Sequence, residues 1–119
     1  MASAFGSKLP HLGTSATRFA DNVKVMSGGT LELKFFEPGA LVPALECFDA
    51  VSKGSVESCW TTPGYHTGKY PALAFFTAIP FGFTPPEHNA WVLRGGGQAL
   101  WDEASARFGV KPFLGGNTG

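Results

Sequence analysis

The chain has 119 residues, the length of one ordinary domain, which excludes two tandem folds but leaves enough chain for a core hiding roughly two-thirds of the unfolded surface. Nine Lys and Arg balance nine Asp and Glu, and charged residues make up only 15%. No basic run occurs, so a binder of phosphate backbones is excluded and nucleic acid is not an expected partner.

The opening Met1-Ala2-Ser3-Ala4-Phe5-Gly6 has no positive stretch leading into an apolar run, so no signal peptide is read there. No apolar stretch approaches the ~18 residues of a membrane span. Ala2 to Phe5 reads as a first strand with almost no room before the turn Gly6 to Pro10. Leu12, Ala16, Phe19, Ala20, Val23 and Met26 recur at helical intervals, predicting a helix over 14–26 capped by Thr14 or Ser15 and stopped by Ser27-Gly28-Gly29. Thr30 to Phe36 alternates apolar with polar, the pattern of a strand. Pro43 opens a second helix that places Ala44, Leu45, Phe48 and Val51 on one face and ends at Lys53-Gly54. Ser55 to Thr61 reads as another short strand. Strand, helix and strand at these intervals predict βαβ units, hence an α/β fold of three layers with a mainly parallel sheet flanked by helices.

Beyond Thr61 the pattern turns helical. Tyr70 to Ala78 is boxed by Pro71 and Pro80, and Thr84-Pro85-Pro86-Glu87 carries a cap and acidic first turn for a helix holding Trp91, Val92 and Leu93. Gly95-Gly96-Gly97 breaks that helix, Gln98 to Phe108 forms a last amphipathic one, and Val110 to Leu114 reads as a final strand.

Little here points to catalysis. Cys59 lies seven residues before His66, a conceivable nucleophile and base, but a Cys beside a Trp at a strand end reads better as a small core residue. Cys47 and Cys59 are too few for a disulfide framework and lack metal-ligand spacing, and His11, His66 and His88 share no face. Neither a metal nor a cofactor is expected, and Gly95 to Gly97 follows a helix where a dinucleotide loop would follow a strand. In a parallel sheet, ligands sit beyond the carboxyl ends of the strands. That selects three connections, Gly6 to Gly13, Phe36 to Val42 and Thr61 to Gly68, the last being the richest, with its hydroxyls, Tyr65 and the cation Lys69 that follows. Each also has a structural reading, as a polar turn satisfying its own backbone.

An ordered series of segments resembles the extracytoplasmic solute-binding proteins of TRAP transporters. It comprises Lys8-Leu9-Pro10-His11-Leu12-Gly13, Met26-Ser27-Gly28-Gly29-Thr30-Leu31, Pro38-Gly39-Ala40-Leu41-Val42-Pro43, Phe48-Asp49-Ala50-Val51 and Ala74 to Gly82. Asn89-Ala90-Trp91, Gly95-Gly96-Gly97 and Gly115-Gly116-Asn117-Thr118-Gly119 continue it. The resemblance implies a two-lobed periplasmic-binding-protein-like fold that closes over a carboxylate or keto acid and delivers it to membrane permease subunits, without catalysis. Residues 1–119 would be a single α/β lobe, the first part of lobe one, with the second lobe and its carboxylate-pairing Arg absent, and the setting periplasmic. The residues that match the family's cleft are Tyr65 and the turn Gly6, Ser7 and Lys8. The sequence departs at Gly64, where relatives often carry a second Tyr, and at Gly6, where Pro is common. The alternative is a stand-alone truncated or recombined module that has lost transport and associates into a homo-oligomer through exposed apolar surface.

Overall fold

The computed structural model describes residues 1–117, which divide into two compact units, one of residues 1–61 and one of the described residues from Thr62 on. In the first unit, β1 (Ala2–Ser3) pairs in parallel with β2 (Cys59–Trp60), Ala2 opposite Cys59 and Ser3 opposite Trp60. On its other side β1 makes one parallel bridge, Ala2 to Phe36. β1 is thus central, and its small side chains are buried.

The strand expected over 30–36 reduces to that single bridge. Side chains hold the preceding residues to the end of the first helix instead: Thr30 Oγ1 donates to the Ser27 carbonyl, Leu31 N–H donates to Ser27 Oγ at 3.1 Å, and Lys24 pairs with Glu32 at 2.8 Å. Leu31 is exposed, so no buried face fixes a ladder register there.

Helix α1 (Leu12–Met26) starts two residues before the sequence estimate and uses neither Thr14 nor Ser15 as its cap. Its stop is as read: Gly28 and Gly29 have φ of 61° and 82°, and Gly29 N–H reaches back to the Lys24 carbonyl. The second helical segment splits into a 3-10 turn, Ala44–Glu46, and α2 (Cys47–Ser52), and Leu45 faces solvent. Ala2, Cys47, Ala50 and Val56 form the core of this unit, with Val42, Val51 and Cys59 against it. Cys47 and Cys59 form a disulfide with Cα atoms 5.8 Å apart, tying α2 to β2. The pairing makes Cys59 more than a core filler and leaves no thiol to act as a nucleophile.

The second unit is helical. The 70–78 segment forms a 3-10 helix, Pro71–Phe76, and α3 (Pro85–Arg94) begins with the expected capping box. Glu87 accepts from Thr84 N–H at 2.8 Å and from Thr84 Oγ1 at 2.7 Å. α4 (Gly97–Ala106) follows at once, because a Cβ on Gly97 would lie 2.8 Å from the Trp91 ring. Leu73, Phe76, Val92, Trp101 and Ala104 form the core, and Phe76 stacks between Trp91 and Trp101 with centroids at 5.6 and 5.3 Å.

No strand forms over 110–114 among the described residues. Pro112 lacks an N–H to donate, and side chains of α4 hold the segment: Gln98 Nε2 donates to the Pro112 carbonyl at 2.9 Å and Lys111 pairs with Asp102. Thr118 and Gly119, the end of the resembling series, lie outside the described residues.

The disulfide closes a short loop, the two cysteines being 12 positions apart. Replacing both by Ser is expected to cost about 3 kcal/mol in urea unfolding. A loss below about 0.5 kcal/mol, the scale of a neutral surface change, would contradict it.

Candidate functional site

In the first unit the candidate site is the passage from β1 to α1. Ser3 Oγ accepts from Phe5 N–H at 3.0 Å and donates to the Phe5 carbonyl, bending the buried strand end toward Gly6. Leu9 N–H then bonds the Gly6 carbonyl at 2.9 Å, closing a turn. At His11 the backbone is in a rare conformation, φ 62° and ψ −51°, with Leu12 N–H donating to the Pro10 carbonyl at 2.7 Å. This is a γ-turn of the strained hand, costing on the order of 1–3 kcal/mol.

Two contacts hold that strain. Gly13 packs so closely on the turn that a Cβ there would lie 1.8 Å from the Gly6 oxygen. Trp60, at the end of β2, donates its indole N–H to the Leu12 carbonyl at 2.9 Å and lies against Phe19. Both strands of the sheet therefore fix the first turn of α1.

The first amides of α1 are already taken: Gly13 and Thr14 donate to the Leu9 carbonyl, and Ser15 to that of His11. The helix end thus offers a ligand less than an open N-terminus does. The anion contact in this turn lies at Ser7 instead. Its N–H donates to Glu37 Oε2 at 3.1 Å and its Oγ to Glu37 Oε1. These bonds, with a smaller contribution from the charge of Lys8, hold the Glu37 carboxyl below the ordinary carboxylate range. Gly6 lies beside this pair, and a Cβ there would make only ordinary contact with Glu37, at 3.6 Å. Lys8 is exposed.

Tyr65 belongs to the second unit, on the 3-10 turn Pro63–His66, with its side chain exposed. Thr62 and Thr77 hydroxyls meet at 3.3 Å, Thr67 Oγ1 donates to the Gly64 carbonyl, and His66 is buried. A Cβ on Gly64 would lie 3.1 Å from Thr77 Cγ2, so a side chain there would need Thr77 to give by a few tenths of an ångström. The structure brings Gly6, Ser7 and Lys8 into one turn, and it places Tyr65 in the other unit. Sequence reasoning selected the connection Phe36 to Val42 but did not single out Glu37 within it, which lies 30 positions from Ser7 and looks like the start of a Pro-Gly turn. It also missed Trp60 and His11; for His11 the available signal was its place between Pro10 and a helix start, since His tolerates positive φ better than most residues. Among the described residues, no group of three or more His, Cys, Asp or Glu is placed to hold a metal ion.

Comparison with known proteins follows these features. A family model described as bacterial extracellular solute-binding protein, family 7, matches residues 2–118. The chain is 42% identical over 110 residues to the monocarboxylate 2-oxoacid-binding periplasmic protein of Nostoc sp. (strain PCC 7120), covering 91% of this chain and 30% of that protein. A TRAP transporter solute-binding protein from Bordetella bronchiseptica superposes with a TM-score of 0.89 at 32% identity over 93% of this chain and 33% of its own. It was crystallised as a mixed occupancy dimer, with calcium and picolinate in one active site and the other apo. A TRAP periplasmic solute-binding protein from Pseudoalteromonas atlantica, with sodium and pyruvate bound, gives a TM-score of 0.89 at 34% identity over 94% of this chain and 34% of its own. The chain thus spans about a third of the length of these relatives. Its helix-rich fold with a small parallel sheet is an α/β lobe of that kind, and the relatives are solute-binding proteins, not enzymes.

Gly13→Ala is expected to cost about 3 kcal/mol or more, because backbone atoms stand where the methyl would go; a urea midpoint equal to wild type would contradict the close approach. For Glu37 the sign follows from its lowered pKa. The tie to Ser7 contributes fully above the ordinary carboxylate range and is lost as pH falls through the lower, folded value. The Ser7 amide resonance is expected to titrate below the ordinary glutamate range, and to lose that inflection in Glu37→Gln. A midpoint at or above that range counts against it.

Proposed function

Because the chain belongs to bacterial extracellular solute-binding protein family 7, we propose that residues 1–119 form part of a single lobe of a periplasmic receptor. That receptor captures a small organic anion, a carboxylate or 2-oxo acid, and hands it to membrane permease subunits of a TRAP-type transporter. The observation that carries the reading is chemical. Ser7 N–H and Oγ, in the turn that matches the family's cleft, each bond one oxygen of a carboxylate. Hydrogen bonds to a charged acceptor are the strong kind, and a turn presenting two such donors has the shape for a carboxylate. The acids that the relatives are described as binding, 2-oxo acids, pyruvate and picolinate, carry that group. The Cys47–Cys59 disulfide supports an oxidising, extracytoplasmic setting. Tyr65, exposed on the 3-10 turn of the second unit, is proposed separately as a ligand contact through its aromatic face.

A second reading, self-association, is favoured by the exposed run Phe75, Ile79, Phe81 and Phe83, where Phe81 is fully exposed with φ at 58°. The two readings separate in one set of measurements.

A chimera in which this chain replaces the matching segment of the Nostoc protein is expected to bind pyruvate by calorimetry. Tyr65→Ala should weaken it by about tenfold or more. A folded chimera that binds no 2-oxo acid would overturn the proposal. The chain alone, offering half of a clamp, should give no submillimolar isotherm with any organic acid. Light scattering of that sample at high concentration reads the second proposal, which a clean monomer would contradict.

A further inference from the structure

The carboxylate seat at Ser7 is occupied by the protein's own side chain. Glu37 lies just before the Pro38-Gly39 turn, beside the segment that bridges to β1, and both of its oxygens are engaged, one by the Ser7 amide and one by the Ser7 hydroxyl. Lys8, the next residue, adds an attractive charge. A ligand carboxylate seeking the same donors has the same charge and the same two-oxygen geometry as Glu37, so the two cannot share the seat.

We infer that Glu37 is an intramolecular competitor for the carboxylate seat of Ser7, so that an anionic ligand engages this turn only by displacing it. The proposal rests on the reading of Gly6 to Lys8 as a ligand contact. It gives Glu37 a role in setting affinity, since a site that is free only a fraction of the time binds more weakly by that fraction. Glu37 is exposed, so a released carboxylate loses little by turning to water, and the exchange is open to a ligand of modest affinity. It also biases the turn toward small monoanions, because a displaced Glu37 stays tethered nearby and repels any second negative charge on the ligand.

The test uses the whole chain, labelled with ¹⁵N, as wild type, Glu37→Ala and Glu37→Gln. Each is titrated with sodium acetate and sodium pyruvate in the millimolar range, against sodium chloride at equal ionic strength. With Glu37 in place about nine-tenths of the time, its removal should lower half-saturation of the Ser7 and Lys8 amide shifts by about tenfold. Glu37→Gln keeps the shape but not the charge, and should fall between the two. If Glu37→Ala disturbs amides remote from 5–9 and 36–38, the isosteric Gln variant carries the comparison. Equal half-saturation in all three proteins overturns the competition and leaves the turn standing as a ligand contact. Shifts at Ser7 in none of them overturn both. Shifts that chloride reproduces show charge screening only, and overturn the seat itself.

Discussion

The close approach of Gly13 to Gly6 is the constraint on which the first unit depends. A side chain at position 13 would have to occupy the space of the Gly6 carbonyl. Only because it is absent can the first turn of α1 fold back over the end of β1. The strained backbone at His11 and the early helix start at Leu12 follow from that path. So does the reach of Trp60 to the Leu12 carbonyl. Strain on the order of 1–3 kcal/mol at one residue persists only where neighbours overdetermine it. Here a glycine contact on one side and an indole hydrogen bond on the other do so. The outcome is a turn whose Ser7 donors are held at a fixed place beside the sheet.

Several local signals were legible, though the cap of α1, set by the strained turn at His11, was not. The Thr84 and Glu87 box, the Gly28-Gly29 stop of α1 and the glycine break before α4 all rest on contacts within about one helical turn, and all stand where the sequence places them. The strands were read less well. Ladder pairing is a non-local property, and the alternation over 30–36 was overridden by Ser27, Thr30 and the Lys24–Glu32 pair, which anchor that segment to the helix before it. At 110–114 Leu114 packs against the core, Gln98 of α4 holds the Pro112 carbonyl, and Phe113 is exposed, so no ladder is needed to place the segment. The cysteines show the same limit. Their separation says nothing of pairing, and only the packing of α2 on β2 brings them together.

The site divides along the same line. Family resemblance pointed to the turn 6–8 and to Tyr65, but it could not supply the groups these residues meet. Glu37 follows the Phe36 bridge to β1, and the alternation over 30–36 announces a strand there without naming what Glu37 meets. Likewise only the structure sets Thr77 behind Gly64, where a Cβ would lie 3.1 Å from its methyl.

The placement of the tryptophans has a practical consequence. Trp60 sits in the first unit, at the end of β2 against the start of α1, whereas Trp91 and Trp101 flank Phe76 in the second. Intrinsic fluorescence therefore has two separate sources in this chain. One indole donates a hydrogen bond to the Leu12 carbonyl at the start of α1, and two are stacked on Phe76. With Trp60→Phe, or with Trp91 and Trp101 both replaced by Phe, the remaining fluorescence reports on one unit alone.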